Sequence, residues 1–253
     1  MTLDLSKELS SLLLDARADP VHCLPRLSAA LQPRSEAQAY LVQQAVNARL
    51  GPIGGWKVGS PKPNASCTCA PMPLSGFAAS PAQLPSVEAG ARAVEAEIAF
   101  CLGADLPPRD GLYSREEVIA AVASCHPAIE IVQSRYVDPE AQDPWSLLAD
   151  NLSHGGFVFG QPDPGWQAID FGVEDVVLAI DGVEAKRCVG NPAGDMIRLV
   201  QWLADTGARW AGGLRAGQFI TCGSWTGKDK VQAGEAVSVA FARAGGVALE
   251  FGR

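Results

Sequence analysis

The amino-acid sequence predicts a mixed α+β fold in which antiparallel strands outnumber helices. Apolar runs joined by Asp181-Gly182 and by Gly245-Gly246 are typical of β-hairpins in the C-terminal half. Helical periodicity is confined to a few segments, and this balance favours the α+β class over a doubly wound parallel sheet. The expected organisation is a small helical N-terminal region, residues 1–52, followed by a β-rich domain, residues 53–253.

The N-terminal elements are predicted to be helices. Leucines recur with helical spacing from Leu3 to Ala16, which indicates an amphipathic helix. Ser35-Glu36-Ala37-Gln38 is a capping box, and it predicts a second helix that ends before Gly51-Pro52.

The sequence then becomes richer in β-type segments. Ile53–Gly59 is glycine-flanked and partly β-branched, which predicts a strand. The stretch from Pro61 to Pro85 is rich in Pro, Ser and Ala without periodicity, so we expect a long loop. Val94–Leu102 is mostly apolar and predicts a buried strand. The remaining predicted elements are, in chain order, a helix from a second capping box at Ser114 to about Ser124, the strand Pro127–Val132, a polar stretch Asp138–Ser153, the strand Gly156–Phe159, the hairpin Val176–Ile180 with Val183–Cys188, a helix from Pro192 to about Ala204, the strand Gln218–Thr221, and the hairpin Ala236–Arg243 with Val247–Phe251.

The composition predicts a globular protein and argues against membrane, secreted and nucleic-acid-binding classes. A chain of 253 residues that is 47% hydrophobic and 19% charged can bury a large core. No apolar run approaches the roughly 18 residues of a membrane span, and the first residues lack the pattern of a secretory signal, so neither is expected. The formal charge of −8 argues against a nucleic-acid partner. The seven cysteines are scattered without a C-x-x-C spacing, which predicts reduced thiols and a cytoplasmic protein.

Three glutamates form the strongest candidate constellation. Glu95 and Glu97 are two residues apart in V-E-A-E-I-A-F-C-L, so they share one strand face at roughly 6.5–7 Å. Glu130 lies in a similar apolar run, P-A-I-E-I-V. Carboxylates in apolar surroundings require compensation, and hard oxygen ligands suit Mg²⁺, Mn²⁺ or Ca²⁺. The alternative is that the glutamates face solvent or pair with Arg92 or Arg135.

Lys57 is the candidate base. It stands between Trp56 and Val58 in a predicted strand, and partial burial beside a cation lowers the pKa of a lysine. The alternative is a structural ion pair.

The turn Gly223-Ser224-Trp225-Thr226-Gly227 can present backbone N–H groups to a carboxylate. The histidines His22, His126 and His154 are too dispersed to predict a histidine metal site.

Together these segments resemble a known family. The runs E-A-E-I-A-F-C-L-G-A-D-L, P-A-I-E-I-V-Q-S-R, D-N-L-S-H-G-G-F-V-F-G and G-Q-F-I-T-C-G-S-W-T-G occur in the order of the fumarylacetoacetate hydrolase superfamily, and G-W-K-V-G resembles its lysine strand. The resemblance extends from about residue 35 onward. It is strongest to the branch of 2-hydroxypenta-2,4-dienoate (2-keto-4-pentenoate) hydratases and 4-oxalocrotonate decarboxylases.

This resemblance implies a catalytic β-rich domain with the superfamily's mostly antiparallel fold. It implies Mg²⁺ or Mn²⁺ held by Glu95, Glu97 and Glu130, and a small 2-oxo or 2-enol acid as substrate. The metal stabilises the enolate as a Lewis acid, and Lys57 moves protons between the C2 oxygen and the carbon chain. The implied substrate-binding residues are Arg135, Ser153, Ser224 and Thr226. The branch also implies a homodimer or larger homo-oligomer.

The reaction stays open among related chemistries. A hydratase of the 2-hydroxypenta-2,4-dienoate type is the first expectation, and a 4-oxalocrotonate-type decarboxylase is the second. Gln133 stands where the branch commonly has an aspartate, and no Asp or Glu occurs from Asn64 to Ser80. An acylpyruvate C–C hydrolase needs a histidine on the N-terminal side, for which His22 is the candidate. A non-catalytic binding protein is the remaining alternative, and the glutamate trio argues against it.

Overall fold

The computed structural model describes residues 2–60, 62, 65–86 and 92–253. Its α-helices are α1 (Thr2–Ala18), α2 (Glu36–Leu50), α3 (Arg115–Ala121), α4 (Pro144–Ala149) and α5 (Met196–Trp202). Its strands are β1 (Ile53–Gly59), β2 (Thr68–Pro73), β3 (Phe77–Ala79), β4 (Ala82–Leu84), β5 (Arg92–Leu102), β6 (Val122–Gln133), β7 (His154–Phe159), β8 (Asp175–Ile180), β9 (Val183–Val189), β10 (Phe219–Thr221), β11 (Asp229–Val231), β12 (Ala236–Phe241) and β13 (Gly245–Phe251). The α+β class is therefore confirmed.

The strands form two sheets. The larger sheet has the order β2-β1-β10-β5-β6-β7-β3, with β11 also paired to β5, and the smaller has the order β4-β13-β12-β8-β9. Pairing is antiparallel except for β1 with β10, β3 with β7, and β4 with β13. This is the mostly antiparallel arrangement that the sequence predicts.

The longest strands, β5 and β6, lie at the centre of the larger sheet. Most of their residues are buried, so their sequences show apolar runs rather than simple alternation. In the smaller sheet, β12 alternates strictly between exposed and buried positions, because only one face is covered.

The N-terminal helices pack against α4. Their shared apolar cluster contains Leu9 and Leu13 from α1, Val42 from α2, and Leu148 from α4. Side-chain capping begins α2, since the Ser35 hydroxyl accepts the Gln38 N–H. The division of the chain at residue 52 stays a prediction. None of the described helices is long and apolar enough to cross a membrane.

The two hairpins are confirmed. At the turn between β8 and β9, Asp181 and Gly182 have φ of 50° and 75°, the left-handed pair that a tight two-residue hairpin requires. β12 and β13 pair in register from Ala236 with Glu250 to Phe241 with Gly245.

The predicted loop from residue 61 to 85 is wrong for most of its length. Residues 61, 63 and 64 lie outside the described residues, but β2, β3 and β4 occupy much of the remainder. The first of these strands was not predicted because it contains Pro71 and Pro73, and proline is unusual within strands. Proline is tolerated there because β2 lies at the end of its sheet and pairs only with β1.

Two predicted helices and the polar stretch also need correction. The helix expected from Pro192 begins at Met196, because the Asp195 carboxylate caps the N–H groups of Ile197 and Arg198. The helix from Ser114 ends at Ala121 rather than near Ser124, because Val122 already pairs with Leu102 in β6. The polar stretch from 138 to 153 contains α4.

Candidate active site

The three predicted glutamates meet on one face of the larger sheet. Glu95 lies directly opposite Glu130 in the β5–β6 ladder, and Glu97 is two residues along β5. One carboxylate oxygen from each residue lies within 4.8 Å of the other two. Glu97 and Glu130 are buried, at 2% and 0% relative exposure, and Glu95 is half-buried. The strand period places Glu95 and Glu97 on one face, and the register of β5 with β6 adds Glu130 to the same cluster.

Lys57 lies beside this trio. It projects from β1, which is joined to β5 through the short strand β10. Its Nζ donates to Glu130 Oε1 at 2.6 Å and to the carbonyl oxygen of Leu152 at 3.2 Å. The partly buried lysine and the fully buried Glu130, one of the metal-ligand candidates, therefore form an ion pair.

Burial and mutual repulsion set the charge states of the trio. Burial, reinforced by Glu130 and Glu95, raises the pKa of Glu97 well above its usual range. Burial also raises the pKa of Glu95. Burial opposes ionisation of Glu130 as well, but Lys57 and His154 outweigh it and lower its pKa.

The same balance applies to Lys57. Burial acts to lower its pKa, but Glu130, Glu95 and Glu97 outweigh burial and raise it. With these carboxylates as its neighbours Lys57 is a protonated group. The lowered pKa predicted from the sequence requires a cation beside it.

The donor set fits a divalent cation. Glu97 Oε2 and Glu130 Oε2 are buried and have no hydrogen-bond partner within the described part of the chain. Buried carboxylate oxygens of this kind are costly unless they are compensated. Three converging carboxylates are the hard ligands that Mg²⁺, Mn²⁺ and Ca²⁺ prefer.

His154 is a site residue that the sequence reasoning missed. Its Nδ1 lies 3.1 Å from Glu130 Oε1, and its Nε2 is buried without a partner among residues 2–60, 62, 65–86 and 92–253. Burial lowers the pKa of its imidazole. The available signal in the sequence was the position of His154 just before the predicted strand Gly156–Phe159, and the structure pairs this strand with that of Glu130.

The turn that carries Ser224 and Thr226 is fastened to β5 at Ala96, between the two glutamates. The Ala96 N–H donates to Thr226 Oγ1 at 3.1 Å, and the Trp225 N–H donates to the Ala96 carbonyl at 2.9 Å. The Ser224 hydroxyl accepts the Gly227 N–H at 2.9 Å. The structure therefore places this turn beside β5 between Glu95 and Glu97, and the Thr226 hydroxyl helps to hold it there.

Arg135 and Ser153 are both connected to the chain segment that leads to His154. The Arg135 guanidinium pairs with the Asp150 carboxylate, and its Nη1 donates to the His154 carbonyl at 2.9 Å. Ser153 is buried in the segment between Asp150 and His154, and its φ is 61°. Arg135 thus holds the chain that leads to His154, and it does not pair with the glutamates.

An aromatic cluster lies next to the trio on the sheet. Phe157 is opposite Glu130 in the β6–β7 ladder, and it packs with Phe77 and Phe219. Ala99 and Ala128, the next residues on the same strand faces as Glu97 and Glu130, belong to this apolar cluster. The cluster of glutamates is therefore bordered on one side by apolar side chains.

Comparison with known proteins gives a consistent picture. No family model matches the chain. It is 32% identical over 168 residues to 2-keto-4-pentenoate hydratase of Paraburkholderia xenovorans, covering 62% of this chain and 58% of that protein. It is 33% identical over 149 residues to 4-oxalocrotonate decarboxylase of a Pseudomonas species, covering 57% and 54%. The matched segment thus spans less than two thirds of these relatives.

Solved structures extend the likeness to the whole fold. The 4-oxalocrotonate decarboxylase from Pseudomonas putida G7, complexed with magnesium and adipate, superposes with a TM-score of 0.86 over 99% of this chain and 98% of its own, at 24% identity. The fumarylpyruvate hydrolase from Pseudomonas aeruginosa, in complex with Mn²⁺ and pyruvate, gives 0.52 at 16% identity over 78% and 88%. These structures show that the chain shares their fold. By sequence it is similar to hydratases and to decarboxylases.

Proposed function

We propose that the chain is a divalent-metal-dependent lyase that acts on a 2-oxo or 2-hydroxy-enoic acid, as a hydratase of the 2-hydroxypenta-2,4-dienoate type. The observation that carries the proposal is the convergence of three carboxylates within 4.8 Å beside a partly buried lysine. The match to 2-keto-4-pentenoate hydratase over 62% of the chain supports the choice of reaction.

Glu95, Glu97 and Glu130 would hold Mg²⁺ or Mn²⁺. A bound divalent cation supplies Lewis acidity to the oxygens of a 2-oxo acid. Glu97 and Glu130 are shielded from water, and this strengthens the electrostatic interactions that their carboxylates make.

Lys57 is the proton-transfer group of the proposal. Its Nζ is held between Glu130 and the Leu152 carbonyl, which fixes where a proton is given or taken. Hydration of the dienol begins with two proton transfers, one from oxygen and one to carbon. The dienol loses the proton of its C2 hydroxyl and gains one at C5, and water then adds its hydroxyl to C4 and its proton to C3.

We propose a direct contact with substrate for Ser224 and Thr226, and an indirect role for Arg135 and Ser153. The turn with Ser224 and Thr226 lies against β5 at the two glutamates and is assigned to the substrate carboxylate. Arg135 and Ser153 are assigned an indirect role through the chain segment that they hold. A homodimer or larger homo-oligomer is also proposed, to be checked by the molar mass in solution.

A 4-oxalocrotonate-type decarboxylase is the second candidate. The 33% identity to such an enzyme favours it, and the same pocket suits a reaction in which CO₂ leaves and its bonding electrons pass to a 2-oxo group. The acylpyruvate hydrolase has less support. Its candidate His22 has an 80% exposed side chain and pairs with Asp19 at 2.8 Å, within the N-terminal region.

The decisive experiment is a substrate panel with product identification. Purified protein with Mg²⁺ is mixed with 2-hydroxypenta-2,4-dienoate, oxalocrotonate and acylpyruvates, while ultraviolet absorbance is followed and products are identified by NMR. Loss of dienol absorbance with formation of 4-hydroxy-2-oxopentanoate is expected. Release of CO₂ from oxalocrotonate alone would favour the decarboxylase, and no turnover of any compound would favour a binding protein.

A further inference from the structure

The segment from Asn151 to Ser153 has an unusual backbone. Its three residues have φ of 50°, 51° and 61°, so three successive non-glycine residues adopt the left-handed conformation. Side chains disfavour this region, and such strain persists only where the surroundings enforce it. We refer to residues 151–153 as the left-handed turn.

The turn presents one backbone oxygen to the candidate active site. The Leu152 carbonyl accepts a hydrogen bond from Lys57 Nζ at 3.2 Å. The Leu152 side chain points elsewhere, because it packs against the apolar cluster of α1, α2 and α4. A backbone in another conformation would aim this carbonyl in another direction, so the left-handed turn determines one of the two contacts that hold the ammonium group.

Both N-terminal helices hold the turn. From α2, Asn47 Nδ2 donates to Asn151 Oδ1 at 3.1 Å, and Asn151 Nδ2 donates back to Asn47 Oδ1 at 3.4 Å. From α1, Arg17 Nη2 donates to the carbonyl of His154 at 2.8 Å, at the end of the turn. Asn47 and Asn151 are both buried, so neither amide can replace its partner with water.

We propose that Asn47 is a positioning residue: its paired amide contact with Asn151 keeps the left-handed turn in place and thereby fixes Lys57 Nζ beside Glu130. Arg17 supports the same turn from its other end. The catalytic part of this inference rests on the proposed role of Lys57 in proton transfer. The structural part concerns the ammonium group alone and is separately testable.

The test compares Asn47→Ala with the matched control Gln44→Ala. Gln44 is also on α2, but it lines a cleft with Tyr40 and Trp202 away from the turn. Protein labelled with ¹⁵N at lysine Nζ is examined by ¹H–¹⁵N NMR with and without Mg²⁺, and the Lys57 signal is identified by its loss in Lys57→Met. We expect a protected ammonium signal in the natural protein and in Gln44→Ala, and a broadened or shifted signal in Asn47→Ala.

The second readout is the exchange of the C3 protons of 2-oxopentanoate with D₂O in the presence of Mg²⁺, which requires proton transfer but no knowledge of the natural substrate. The maximal exchange rate of Asn47→Ala should fall about 10- to 100-fold, as displacement of a catalytic group by about 1 Å does, while KM stays within about twofold. A merely structural role would change both values or neither.

The outcomes separate the two proposals. An unchanged Lys57 signal in Asn47→Ala overturns the positioning role. No exchange by the natural protein, with the Lys57 signal lost in Asn47→Ala, overturns the proposed function and leaves the positioning role supported. If Asn47→Ala does not fold, Asn151→Gly replaces it, because glycine adopts a positive φ freely while removing the same amide pair. The loss of Lys57 order in the double variant should be less than the sum of the losses in the two single variants, because each single change already breaks the amide pair.

Discussion

Glu95 and Glu130 face each other directly across the antiparallel ladder of β5 and β6, although like charges at opposed positions destabilise a sheet. Lys57 neutralises one of them, and Glu97 adds a third carboxylate on the same face. Three carboxyl groups and one ammonium group therefore share this face, and a divalent cation would offset the repulsion between the carboxylates when they ionise.

The first prediction is stabilisation by metal. At a concentration of about 100 times Kd, a cation that binds only the folded chain adds about 2.7 kcal/mol to the free energy of unfolding, which corresponds to about 5–10 °C in Tm. Thermal unfolding with Mg²⁺, with Mn²⁺ and with EDTA measures this shift. An unchanged Tm at millimolar metal would contradict the site.

The second prediction contrasts two glutamates when EDTA is present. Glu97→Gln should raise the free energy of unfolding, because it removes a buried carboxylate that lacks a partner at Oε2. Glu130→Gln should lower it by about 3 kcal/mol, because Lys57 loses its ion-pair partner. Urea unfolding at pH 8 compares the variants. Equal changes in the free energy of unfolding for the two variants would show that the ion pair with Lys57 does not stabilise the fold.

The third prediction concerns Lys57→Met. Proton exchange at C3 of a 2-oxo acid should fall by about 100-fold or more, since the proposed proton carrier is gone. Affinity for Mn²⁺ should be retained or increased, because a positive charge beside Glu130 is removed. Calorimetric titration and NMR measure the two quantities. Loss of metal binding together with exchange would instead assign Lys57 a structural role.

The fourth prediction uses two glycines of β1 as a matched pair. A Cβ at Gly55 would lie 2.4 Å from the Phe219 carbonyl oxygen, whereas a Cβ at Gly59 would meet nothing within 4 Å. Gly55→Ala should therefore separate β1 from β10 and lower stability by about 1–3 kcal/mol or more, with loss of metal-induced stabilisation. Gly59→Ala should retain both. Equal free energies of unfolding for the two variants would contradict the close approach of Gly55 to Phe219.

The fifth prediction is a pH dependence of stability at α3. Arg109 pairs with Glu117 at 2.6 Å, and this pair, with the Ser114 N–H, lowers the pKa of Glu117 to about 2. Because the folded pKa lies below the unfolded value, the stabilisation is complete above pH 4.5 and is lost as the pH falls toward 2. The stability difference between the natural protein and Glu117→Gln should shrink over that range in urea titrations. A constant difference would contradict the assignment.

Much of the site could be predicted because it depends on strand periodicity. Glu95 and Glu97 share a face by their spacing alone, and Glu130 lies in a strand of similar character. That Glu95 and Glu130 are directly opposite depends on the register of β5 with β6, which the sequence does not show. The same limit applies to His154, whose partner Glu130 is 24 residues away.

Other features escaped prediction because tertiary contacts override local preference. Pro71 and Pro73 argued against a strand, yet an edge position accepts them. Asn151 tolerates the left-handed conformation, but Leu152 and Ser153 have no local preference for it, and contacts with the N-terminal helices hold the segment there. The hairpins were predictable because the Asp181-Gly182 dipeptide itself favours the required backbone.

Leu152 belongs to both parts of the molecule, since its side chain packs with the N-terminal helices and its carbonyl faces Lys57. Fraying of α1 or α2 would therefore weaken one of the two contacts of the Lys57 ammonium group even if every strand stayed intact. The stability of these two helices consequently sets an upper limit on how firmly Lys57 Nζ is held. Amides of α2 and of residues 151–154 are expected to exchange with solvent as one cooperative unit.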